Sequence, residues 1–129
     1  MTRLIRGVLF AALCSALSAC SQAPMTTTFK TLSPEEALQK MQAEPQALIL
    51  DVREPMEYDR GHILGAENLP LSVLEKGVPA ELTDKQRTLL VYCRSGRRSR
   101  MAAEILVKAG FAAVYDFGGI EAWPYPMSR

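Results

Sequence analysis

Apolar runs alternate with polar, helix-favouring stretches along most of the chain. Phe29 to Leu32 predicts a short strand. Ser33-Pro34-Glu35-Glu36 then supplies an N-cap, a proline at the first helical position and a glutamate where a capping box requires one. Ala37, Leu38 and Met41 follow at helical spacing, and Pro45 lies just past the end. Ala47 to Val52 is a nearly unbroken apolar run, the pattern of a strand buried on both faces. Glu54 to Asp59 predicts a short helix begun by Pro55 and ended by Gly61. Ala66 to Leu69 predicts another short strand, and Leu71 to Lys76 one or two helical turns before Gly77 and Pro79. Thr88 to Tyr92 reads as a second central strand that runs straight into Cys93. A glycine-containing loop comes next, then a helix over Ser99 to Ala109 with Met101, Ala102, Ile105 and Leu106 on its apolar face and Gly110 as its cap. Ala112 to Phe117 predicts the last strand, and Gly118-Gly119 a turn into a short helix near Ile120 to Trp123. Repeated strand–helix units put the chain in the α/β class, with a central parallel sheet and helices on both faces.

The first residues follow a different pattern. Arg3 and Arg6 are their only charges, and Gly7 to Ala19 is apolar but for Ser15 and Ser18. That run is short of the roughly 20 residues needed to span a bilayer. With its basic start and small residues at its end, it predicts a secretory signal over residues 1–19. Leu17-Ser18-Ala19-Cys20 resembles the lipobox of bacterial lipoproteins. The resemblance implies cleavage before Cys20, acylation of Cys20 and anchoring to a membrane on its periplasmic side. Ser21 in the next position favours the outer membrane over the inner. Residues 20–28 would then be the lipidated N-terminus and a polar tether. Residues 29–129 would be the folded domain, about 100 residues and enough for a modest core.

Composition narrows the function. Hydrophobic residues make up 48% and charged residues 22%, the balance of a globular domain and not of a disordered one. A net charge of +1 lacks the basic surplus that nucleic-acid binding requires. Without Arg3 and Arg6, 13 basic residues face 14 acidic ones, and four of the 13 are Arg94, Arg97, Arg98 and Arg100. Such a cationic mouth on a slightly acidic body focuses small anions toward Cys93, with Arg100 and one other arginine expected on a solvated face. Cys14 leaves with the signal and Cys20 carries lipid, so Cys93 is left as a lone thiol with no partner for an internal disulfide. With His62 the only histidine, no plausible cysteine/histidine metal site exists, and no cofactor is implied.

Cys93-Arg94-Ser95-Gly96-Arg97-Arg98-Ser99 lies at the carboxyl end of a buried strand, where sites form in parallel α/β sheets. Amides at the start of the following helix, and the positive end of its dipole, converge there. Gly96 lets the loop curl so that N–H groups face inward. A thiolate in that cradle gains hydrogen bonds and favourable charge. A persulfide, also an anion, gains the same.

This loop resembles the active-site loop of the rhodaneses, thiosulfate sulfurtransferases. Three more segments are similar to the family: Leu50-Asp51-Val52-Arg53-Glu54; then Glu57-Tyr58-Asp59-Arg60-Gly61-His62-Ile63-Leu64-Gly65-Ala66; then Gly118-Gly119-Ile120-Glu121-Ala122-Trp123. Together they span Leu50 to Trp123 in the family's order. The resemblance implies that Cys93 takes the outer sulfur of a small anionic donor such as thiosulfate. It then passes that sulfur to cyanide, another thiophilic acceptor or a protein acceptor. Arg94, Ser95, Gly96, Arg97, Arg98 and Ser99 would hold the donor. Asp51 and Arg53 would support the site from behind, a buried ion pair being the alternative reading. His62 is expected in a structural turn, not in a dyad with Cys93, and Trp123 in packing.

Cysteine phosphatases and arsenate reductases share the fold but need five residues between cysteine and arginine. Ser99 holds that place here, and the arginine comes one position earlier at Arg98. The rival from another class is a lipid-tethered module that carries sulfur or docks a partner without turnover.

The lipobox reading is checked by metabolic labelling with a fatty acid. The protein should take up the label and Cys20→Ser should abolish it, whereas an unlabelled, soluble periplasmic protein refutes it.

Overall fold

The computed structural model describes residues 28–129. The expected signal, Cys20 and most of the tether lie outside the described residues. The described residues open with β1 (Lys30–Thr31) and α1 (Pro34–Ala43). The capping box forms as the residues suggest: Glu36 N–H donates to Ser33 Oγ at 3.1 Å, and Ser33 N–H donates to Glu36 Oε1 at 3.3 Å. Next come β2 (Leu48–Asp51), α2 (Pro55–Arg60), β3 (His62–Ile63), β4 (Glu67–Asn68) and α3 (Leu71–Leu74). The last third holds β5 (Leu89–Cys93), α4 (Arg97–Lys108), β6 (Val114–Gly119), a 3-10 turn over Ile120–Ala122 and β7 (Met127–Ser128).

Among the described residues, five strands form one parallel sheet in the order β1-β6-β5-β2-β4. The two apolar runs are neighbours at its centre, with Leu50 opposite Val91 and Asp51 opposite Tyr92. All of β5 is buried, because helices cover both faces and leave no side of that strand for water. Side chains alternate along a strand, so β5 feeds two cores. Leu89, Val91 and Cys93 pack with Leu71 and Leu74 of α3 and with Ala102, Ala103 and Leu106 of α4. Leu90 and Tyr92 pack on the other face with Ala37 of α1, Ile63, Phe117 and Trp123.

The expectations differ from the structure at short or glycine-rich segments. The strand expected over Ala66 to Leu69 shrinks to Glu67–Asn68. Helix α4 starts two residues early at Arg97, because Gly96, in the left-handed region at φ 102°, serves as its cap residue. Strand β6 continues through Gly118 and Gly119, where a turn was expected. His62 lies in a strand and not a turn: β3 pairs antiparallel with β7, His62 opposite Ser128. Two-residue strands carry no readable period, so this small second sheet leaves no pattern in the sequence.

A buried polar cluster ties the two sheets together. Tyr92 donates its hydroxyl proton to Asp51 Oδ2 at 2.7 Å, and Ile63 N–H of β3 donates to the same hydroxyl at 3.0 Å. Burial, with the bond to Asp51 adding to it, pushes the Tyr92 hydroxyl well above the ordinary tyrosine range, so it stays a donor. Asp51 also accepts from Arg53 Nε and Nη2, and Arg53 Nη2 donates to the Gly61 carbonyl at 2.7 Å. Tyr92→Phe keeps the packing but leaves the Ile63 amide and an Asp51 oxygen short of a buried partner. It should lower the unfolding free energy by about 1–3 kcal/mol, read from urea unfolding midpoints; an unchanged midpoint would show that the cluster does not hold β3.

Candidate active site

Cys93 is the last residue of β5, 1% exposed, and a free thiol. The Gly96 N–H donates to its sulfur at 3.0 Å. That contact needs the chain to reverse within three residues, which Gly96 permits through its positive φ. The turn is held from below by β6. Val91 of β5 stands opposite Asp116 and Cys93 opposite Gly119, so β6 takes three steps where β5 takes two. The extra residue is absorbed at Gly118, where φ is 84° and the amide donates to the buried Asp116 carboxylate at 3.0 Å. Such a bulge beside a site re-aims the strand end. A Cβ on Gly119 would collide with the Arg94 carbonyl. Loop and strand therefore lie backbone against backbone.

The loop residues expected to hold a donor divide into distinct groups. Ser95 and Arg97 are exposed at the mouth. Arg94 is exposed and pairs with Glu121 at 2.9 Å. Arg98 is half-buried and makes a two-pronged pair with Glu57, at 2.7 and 2.9 Å. Among the described residues Arg97 and Arg100 pair with no carboxylate. Ser99 is fully buried, its Oγ 3.5 Å from Cys93 Sγ. Placed in the first turn of α4, Arg97 and Arg98 sit where the helix dipole disfavours positive charge, and Glu57 relieves that for Arg98. In return the bond from Arg98 holds the Glu57 carboxyl down at about 2.

Asp51 and Arg53 form a buried ion pair at 2.7 Å. Asp51 faces the side of the sheet away from Cys93, and its bonds go to Arg53 and Tyr92. Arg53 reaches an open groove of about 550 Å³ beside the loop, shared with Glu57, Arg60, Arg94, Ile120 and Glu121. His62 is occupied elsewhere: Nδ1 is 3.0 Å from the Tyr58 carbonyl, and the ring stacks on Tyr58 at 3.7 Å. Trp123 is buried between Phe117 and Tyr125. Among the described residues no cluster of three or more His, Cys, Asp or Glu is placed to hold a metal.

A family model described as a rhodanese-like domain matches residues 33–124. The chain belongs to the rhodanese-like family. Thiosulfate sulfurtransferase PspE of Escherichia coli (strain K12) is 39% identical over 80 residues, covering 62% of this chain and 77% of that protein. The probable adenylyltransferase/sulfurtransferase MoeZ of Mycobacterium tuberculosis is 37% identical over 98 residues, 75% of this chain. This rhodanese domain spans 25% of MoeZ. Among solved structures, a rhodanese with anions from E. coli superposes with a TM-score of 0.58 at 35% identity, covering 64% of this chain and 98% of that one.

Two parts of this rhodanese-like site were not picked out by residue type. Glu57 and Glu121 restrain two of the four arginines, yet lie 41 and 27 positions from their partners, beyond any local pattern. The double glycine was legible as a turn signal, but its use as a floor for the loop requires knowing which strand lies beneath.

The Glu57–Arg98 pair makes an acid-sensitive contribution. Glu57 titrates near 2 in the folded protein against an ordinary 4.5. A depressed carboxyl stabilises the fold above its unfolded value, and that contribution is lost as pH falls through the folded one. Glu57→Gln should therefore be less stable than the parent at neutral pH and lose less stability between about pH 4.5 and 2. Parallel thermal melts across that window check it; curves of equal slope would place the pair outside the energetics of folding.

Proposed function

We propose that the protein is a sulfurtransferase that carries sulfane sulfur on Cys93. The observation that carries this reading is the Gly96 N–H directed at Cys93 Sγ, in a loop at the carboxyl end of the central strand. The family and a relative named a thiosulfate sulfurtransferase support it. In the first half-reaction Cys93 Sγ attacks the outer sulfur of thiosulfate, the donor's S–S bond breaks, and sulfite departs with the electron pair. In the second, cyanide or another thiophile attacks the outer sulfur of the persulfide. The bond to Sγ then breaks and the Cys93 thiolate returns. The scheme is ping-pong covalent catalysis.

The donor's sulfonate meets a mouth of restrained cations. Arg94 and Arg98 are held by carboxylates, while Arg97 extends freely from the start of α4. Arg97 is accordingly assigned first contact with the anion. Oxyanion chemistry of the phosphatase kind is disfavoured, because the position its arginine requires is filled by the buried Ser99. The proposed setting is the periplasmic side of a membrane, outer in preference to inner, with the domain anchored through lipid on Cys20. The basic start and apolar run over Gly7 to Ala19, the Leu17–Cys20 motif and Ser21 support that setting.

Incubation with thiosulfate should raise the intact mass by one sulfur atom, located on Cys93, and cyanide should remove it as thiocyanate. Cys93→Ala should lose both steps. Arg97→Ala should weaken donor capture roughly tenfold, the lower range for a hydrogen bond to a charged group. Retained thiocyanate formation in Cys93→Ala, or no mass gain in the parent, would favour the sulfur-carrier or docking module instead.

A further inference from the structure

Ser99 is the third residue of α4 and has no exposed surface. Its Oγ lies 3.5 Å from Cys93 Sγ, 3.1 Å from the Gly96 carbonyl and 3.3 Å from the Gly118 carbonyl. A serine hydroxyl has one proton to give, so it serves one of these three acceptors at a time. With Cys93 protonated, the thiol donates to Oγ and the hydroxyl donates to a carbonyl. With Cys93 ionised, the sulfur has no proton and becomes the best acceptor within reach, since bonds to charged groups are the stronger ones. Turning toward sulfur leaves the Gly96 carbonyl with its helical partner, the Arg100 amide at 3.3 Å.

We propose that the Ser99 hydroxyl is a rotor that donates to Cys93 Sγ whenever that atom carries the negative charge, and that it speeds discharge of the persulfide more than its formation. This assignment rests on the sulfurtransferase reading. During loading, Sγ forms its bond to the outer sulfur and becomes neutral, the displaced electron pair leaves on sulfite, and Ser99 loses its anionic acceptor. During discharge, the acceptor forms a bond to the outer sulfur, the bond from that sulfur to Sγ breaks, and Sγ departs with the electron pair. Charge then returns to the atom beside Oγ. A hydrogen bond that strengthens on the way to the transition state lowers that barrier. In loading the same bond is strongest at the outset: it favours the thiolate but makes it less reactive, and the two effects offset one another. The Gly96 amide is fixed and cannot redistribute in this way; the hydroxyl can.

The test separates the two half-reactions. Loading is followed by intact mass after mixing the protein with thiosulfate. Discharge is followed as thiocyanate after mixing the isolated persulfide with cyanide. Ser99→Ala should discharge roughly tenfold to a hundredfold more slowly, the loss of a hydrogen bond to a charged sulfur, with loading little changed. Persulfide should accumulate at steady state as a result. Ser99→Thr retains a hydroxyl and should restore the parental ratio of the two rates. Ser99→Val, which has the shape of threonine without the hydroxyl, should reproduce alanine and supplies the comparison should the alanine variant not fold. Equal slowing of both steps, or unchanged discharge in both hydroxyl-free variants, overturns the rotor. A parent protein that never gains sulfur overturns the sulfurtransferase reading, and this one with it.

Discussion

A side chain at position 119 would occupy the space of the Arg94 carbonyl, so β6 can lie against the Cys93 loop only because Gly119 has none. Much of the site's shape follows from that approach. It brings the Gly118 carbonyl within reach of Ser99 and sets Gly119 opposite Cys93 across the sheet. It also leaves the loop little room except to curl toward α4, which directs the Gly96 amide at sulfur. A backbone surface of this kind is stiff, because no rotamer can relax it. The thiol thus has a fixed donor on one side and, in the Ser99 hydroxyl, a movable one on the other.

The charges around this rigid centre are arranged by different means at different depths. The exposed Arg94–Glu121 pair contributes little to stability, as surface pairs generally do, but it sets where one cation rests. The half-buried Arg98–Glu57 pair joins the start of α4 to α2 with two short bonds. Deepest is the Asp51–Arg53 pair, whose cost of burial is offset by further bonds to Tyr92 and to the Gly61 carbonyl. It acts on the opposite face of the sheet from the thiol, fixing β2, β5 and β3 relative to one another. The loop's cationic character is therefore a balance of restrained and free arginines, not a simple total.

Features that depend on neighbours in sequence were legible without the structure. The runs ALILDV and TLLVY declare two buried strands, the Ser33–Glu36 box declares a helix start, and Cys93 at a strand end declares a site. Features that depend on distant partners were not. Tyr92 reads as one more apolar residue of β5, and only the arrangement of β2 and β3 around it reveals a hydrogen-bonding hub. Ser99 reads as the first residue of its helix and a donor contact, whereas it is the buried third residue of α4 with its hydroxyl beside the Cys93 sulfur. The pairing of β3 with β7 joins segments more than 60 positions apart and has no periodicity to announce it.

The edge strand β1 runs parallel to β6, and this gives the domain a back and a front. The polypeptide enters at the amino-terminal end of the sheet, beside Thr28, whereas Cys93 closes the central strand at the other end. Whatever is joined on the amino-terminal side grips the domain from behind. The thiol lies the length of a five-residue strand, about 17 Å, from the end of the sheet at which the described residues begin.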